Sequence, residues 1–219
     1  MKTYLNRHVL KIMAAVVLMT TSPVYCMNFH TFYIPEWKRT VIDGEGEIVS
    51  GDAASFSEIS KQGSRDQFGN VTLVLNSPGG SVDAAMEMVK VMDAVGVTTI
   101  VPPGGYCASA CASILFVSGS KRAVFGTGLL GFHTCYNRTQ SGDEKNDLCN
   151  DAIASNAVAH GVCYGVVDVW TKSYSAGQVA WLGPETACQM GLCSVELVPE
   201  SKSCASFVDG LVDGFLKKP

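Results

Sequence analysis

The sequence has no Cys-X-X-Cys pair, no internal repeat, no low-complexity tract and no basic run longer than a pair such as Lys217-Lys218. The first absence argues against a zinc ribbon or finger. The last, with a formal charge of -4, argues against nucleic acid as a partner. The longest amino-terminal apolar stretch, residues 12–19, is far short of the ~20 residues that span a bilayer. Histidine is scarce, with four in 219 residues, so a search for a neutral-pH base is short. What is present is an ordinary globular composition, 47% apolar and 16% charged. That length fits one domain and buries a full core unaided. The nine cysteines are therefore more than stability requires, and they point to a compartment.

Lys2, Arg7 and Lys11 precede the apolar stretch, and Thr20, Thr21, Ser22 and Pro23 break it. Basic, apolar and small-polar segments in that order read as a signal peptide over residues 1–26. An uncleaved anchor or a buried first helix are the alternatives. Removal of 1–26 deletes three basic residues and no acidic one, taking the charge from -4 to −7. Eight cysteines then remain, an even number that suits disulfides in a periplasmic or secreted protein. Sequence does not choose among their pairings.

The rest divides into an extended lead-in (27–39), a main domain (40–200) and a helical extension (201–219), with a terminal helix expected over 206–216. Short strand pieces are expected at 40–42 and 47–49, and a helix over 53–61. Val71-Thr72-Leu73-Val74-Leu75 is a β-rich apolar run, as in a strand buried on both faces. Asn76-Ser77-Pro78-Gly79-Gly80 is turn chemistry. Val82, Ala85, Met86, Val89 and Met92 then recur at helical spacing until Gly96. With a strand at 98–101 this is a βαβ crossover, hence parallel strands. An apolar helix is expected over 108–119, strands at 123–125, 129–132 and 194–197, one long helix over 143–170 and a short one over 184–190. The alternation says α/β in one domain.

His133 follows an apolar strand, where α/β sheets build sites; His30 and His160 are the other two beyond residue 26. Ser109 lies among small residues, Gly104-Gly105-Tyr106-Cys107-Ala108-Ser109-Ala110-Cys111, at an expected helix start. Helix starts carry free N–H groups that stabilise a developing oxyanion. A plain N-cap serine is the simpler reading of Ser109 alone. Gly79-Gly80 offers a second set of bare amides, or simply a tight turn.

Leu75-Asn76-Ser77-Pro78-Gly79-Gly80-Ser81-Val82, then Ala108-Ser109-Ala110, then Gly131-Phe132-His133 resembles the proteolytic subunit of Clp protease. That family lies in the Clp/crotonase superfamily, and the likeness covers about residues 40–197. It implies a spiral of βαβ units with Ser109 as nucleophile and His133 as general base. It also implies an oxyanion hole from the N–H groups of Gly80 and Ala110. The long helix over 143–170 resembles the family's handle helix, so a homo-oligomer is implied.

Three positions depart from the pattern. Val179 stands where the family has its catalytic aspartate, and the nearest acids are Asp168 and Glu185. Cys107 and Cys111 flank the serine, where the family has neither. The reading is an exported, ATP-independent serine peptidase acting on peptide or protein, with no cofactor, metal, nucleic acid or ATPase partner. The alternative is an inactive Clp-like domain that assembles or binds peptide. An acyl-CoA enzyme of the crotonase type is a third reading, disfavoured because CoA is cytoplasmic. Asn70-Val71-Thr72 and Asn137-Arg138-Thr139 match a glycosylation triplet and are read as chance.

Overall fold

A computed structural model describes residues 26–175 and 177–194. The expected signal peptide up to residue 25, the strand expected at 194–197 beyond its first residue and the expected terminal helix lie outside them. Two sheets carry the fold. The larger has the order β1-β2-β3-β4-β6. Its strands are β1 (Asn28–Ile34), β2 (Arg39–Glu45), β3 (Val71–Asn76), β4 (Val97–Val101) and β6 (Lys121–Val124). β1 runs antiparallel to β2, and β2 to β6 are parallel. The smaller has the order β10-β7-β5, built from β5 (Tyr106–Ala108), β7 (Leu129–Phe132) and β10 (Ala180–Leu182).

The central strands follow from composition. Five of the six β3 residues and all five of β4 are buried, so both faces of these β-branched and apolar strands are packed. α1 (Asp52–Ser60) and α2 (Val82–Val95) pack against each other. α2 starts on Ser81, whose side chain accepts from the Ala84 N–H. It ends on Gly96 at φ +72°, where a Cβ would lie 2.8 Å from Asn70 Oδ1. Asn70 is itself buried and donates to Thr98 Oγ1, which leaves its amide no room for a glycan.

Several elements differ from the sequence reading. The lead-in over 28–34 is a full edge strand. Residues 106–108, read as loop and helix start, are β5, and the helix after them is π-helical over Cys111–Phe116. The long helix expected over 143–170 is three elements. Gly142–Lys145 is β9, paired antiparallel with β8 (Tyr136–Thr139) in a hairpin. Two helices follow, α3 (Asp147–Ala159) and α4 (Tyr164–Ser173). Gly161 at φ +75° separates them, a conformation that breaks helical continuity. The last helix, α5, is Pro184–Gln189.

Three disulfides lie among the described residues: Cys107–Cys111, Cys135–Cys149 and Cys188–Cys193. Cys163 is also disulfide-bonded. Among the described residues no helix is long and apolar enough to cross a membrane.

Candidate active site

β3 delivers its chain into Ser77, fully buried and laced to β5. The Ser77 N–H donates to Tyr106 O (2.8 Å), and Ser77 O accepts from Ala108 N (2.9 Å). The next two glycines are required by contact. A Cβ on Gly79 would lie 2.6 Å from Ala108 O and 2.7 Å from the Ser109 Cβ. A Cβ on Gly80 would lie 2.2 Å from Ile48 O. Ile48 N donates to Gly79 O and Ser81 N donates to Ile48 O, so Gly80 is bracketed in a parallel bridge. In that geometry its own N–H points to the side away from Ile48.

Ser109 stands at the strand-to-helix corner with φ +56°, one of two non-glycine residues among those described with positive φ. Such backbone costs about 1–2 kcal/mol and persists only where neighbours enforce it. Here they do. Ser109 N donates to Gly131 O, while Ser109 O accepts from Ser113 N and Ser113 Oγ at 2.9 and 2.8 Å. A serine on a sharp strand-to-helix turn presents its hydroxyl outward. Ala110 then opens the helical segment, whose first N–H groups lack intrahelical partners. The Cys107–Cys111 bond spans this corner.

His133 follows β7. Its Nδ1 lies 2.8 Å from Thr134 O, and its ring sits 5.7 Å from that of Tyr136. Gly80, Ser109, Ala110 and His133 together line one cleft of about 290 Å³, with Val82, Ser113, Cys135, Tyr136 and Ile153. All four residues singled out from sequence thus meet. Ser109 and His133 share the cleft without a hydrogen bond between them.

The other candidates are elsewhere. His30 faces Asp43 at 3.3 Å on the β1–β2 pair. His160 caps α3 and meets Asp93 at 2.9 Å. Asp168 is engaged by Lys172 at 2.6 Å, which raises the Lys172 pKa, and Glu185 accepts from Gln189. Val179 directly precedes β10, whose first residue, Ala180, pairs with Phe132. No described carboxylate bonds His133. Sequence reasoning missed Ser113, Tyr136 and the Thr134 carbonyl. Ser113 had a signal, four residues after Ser109 on a helix; a backbone carbonyl has none. No group of metal-ligating residues occurs among those described. A second cleft of about 290 Å³, lined by Trp37, Arg39, Asp66, Phe68 and Phe125 among others, holds no serine or histidine.

A strained serine beside paired glycines thus shares one cleft with a histidine. Residues 46–141 match the family model described as Clp protease. The structure resembles the 1510-N membrane-bound stomatin-specific protease, solved as a mutant. That match has TM-score 0.56 and 21% identity over 69% of this chain and 75% of that one. It also resembles the ClpP protease catalytic domain from Plasmodium falciparum, with TM-score 0.51 and 15% identity over 69% and 81%. No curated protein matches the sequence. The chain therefore has a single-domain α/β fold like that of these proteases.

Proposed function

We propose that this chain is an exported serine peptidase that works without ATP. The observation that carries the reading is Ser109, held at positive φ in the cleft that His133 also lines. Ser109 Oγ attacks the scissile carbonyl carbon as its proton passes to His133 Nε2. The oxyanion accepts from the N–H groups of Gly80 and Ala110. His133 returns the proton to the leaving amine as the C–N bond breaks. Water then cleaves the acyl ester by the reverse sequence. The substrate is peptide or protein, and the chain works as a homo-oligomer. Export is supported by the amino-terminal pattern and by disulfides that a reducing cytosol would not keep.

The test is labelling with a fluorophosphonate probe. Wild type is expected to label, and Ser109→Ala and His133→Ala are expected not to. Labelling that survives in Ser109→Ala would assign the reaction elsewhere. A second reading, an inactive peptide-binding or oligomeric module, is favoured by Val179, which stands where the resemblance implies an acid. It predicts no labelling of any form.

A further inference from the structure

We infer that the Thr134 carbonyl, aimed by the buried amide of Asn150, takes the orienting role that an acid plays in a Ser–His–Asp triad. The inference rests on the proposed peptidase reading. A carbonyl oxygen can only accept, so the 2.8 Å contact places a proton on His133 Nδ1. Nε2 then carries the lone pair that a general base needs.

The carbonyl is not loose backbone. Thr134 C=O and Cys135 N–H belong to one planar peptide unit, so fixing one fixes the direction of the other. Asn150 on α3 is 1% exposed, and its Oδ1 accepts from that Cys135 N–H at 2.8 Å. Its Nδ2 donates to Thr134 Oγ1 at 3.0 Å and to Asn146 O at 2.9 Å. The Cys135–Cys149 bond ties the same two segments covalently. The chain of contacts runs from Asn150 Oδ1 through the 134–135 peptide to the imidazole. Each hydrogen bond in such a chain polarises the next. A burial this complete tolerates an amide only when its bonds are made, and here they are made to the segment that holds the base. Asn150 is thus a positioning residue, acting on His133 through one peptide plane.

Two readouts test this. In Ser109→Ala protein, ring ¹⁵N NMR is expected to show His133 as the Nδ1–H tautomer, and Asn150→Ala is expected to mix the tautomers. An Nε2–H tautomer at the start, or no change in Asn150→Ala, overturns the inference. This arm needs no reactive serine, so failure of the peptidase reading appears separately as absent labelling. The second readout is the fluorophosphonate labelling rate. Asn150→Ala is expected to lose about a hundredfold, the scale of a misplaced catalytic group. Should Asn150→Ala fail to fold, the wild-type tautomer decides alone: an Nε2–H tautomer overturns the inference.

Discussion

The two sides of the cleft are built differently. The nucleophile side rests on β3, β5 and the π-helix, where buried backbone and glycine contacts leave no alternative position. Gly79 touches the Ser109 backbone turn, and Gly80 is bracketed by Ile48. The base side rests on an exposed hairpin, β8–β9, and on α3. There the anchors are a disulfide and one buried amide. One half is fixed by packing, the other by a few discrete fastenings. Stability is therefore expected to be uneven, with the base side opening first.

Arg122 joins the halves, and removing it is expected to have the largest effect. It is 7% exposed, on β6. Its guanidinium donates to Val117 O and Gly119 O after the π-helix, to His160 O at the end of α3 and to Leu192 O after α5. Burial pushes its pKa down to about 10, so it is still a cation at neutral pH. The negative ends of converging helices stand in for a counter-ion. Arg122→Met would take the donor from three buried carbonyls and one half-buried one, and is expected to cost about 4 kcal/mol in chemical denaturation. A loss under about 1 kcal/mol would mean that water replaces the guanidinium.

Glycine substitutions sharpen the contrast on the nucleophile side. Gly80→Ala drives a Cβ into Ile48 backbone at φ +149°, and is expected to cost at least about 3 kcal/mol and all labelling. Gly131→Ala meets mainly the Trp181 ring, at 2.8 Å. That ring is 48% exposed and can yield, so the cost is expected to be smaller. Equal melting temperatures for the two variants would contradict a rigid Ile48 bracket.

On the base side the fastening itself can be cut. Cys135→Ser with Cys149→Ser opens a loop of sequence separation 14. A loop of that size corresponds to about 2–3 kcal/mol. Hydrogen exchange is expected to rise in β8, β9 and α3 while β3 and β4 keep their protection. Uniform loss across both sheets would show one cooperative unit and erase the comparison.

Legibility followed the same division. The β3–α2–β4 unit could be read because an apolar run, a glycine turn and a 3.6 period lie within thirty or so residues, and each speaks locally. Ser109 and His133, which line one cleft, stand out in sequence because residue type and neighbours mark them. The stretch from 143 was misread as helix because Asp143, Glu144 and Lys145 carry no strand signal of their own. Their strand depends on pairing with β8 and on a crosslink to α3, both set by tertiary contacts. The break at Gly161 was visible only as one glycine. The Thr134 carbonyl left no mark, since every residue has one.

The smallest expected effect lies at the edge of the large sheet, where the amino-terminal strand joins the packed half. Asp43 faces His30 across the β1–β2 register. Desolvation raises its pKa above 3.8, and His30 lowers it only in part. The folded state thus holds this proton to higher pH than the unfolded chain does. Its contribution to stability is greatest below the unfolded value, and falls as pH rises from 3.8 through the raised folded value. Asp43→Asn is expected to remove that slope, with a gain at pH 7 of less than about 1 kcal/mol, since the group is partly solvated. Denaturation midpoints from pH 3 to 7 decide it. A variant that loses stability at pH 7 would show that the ion pair with His30 outweighs burial, so that even this edge is held by a discrete fastening.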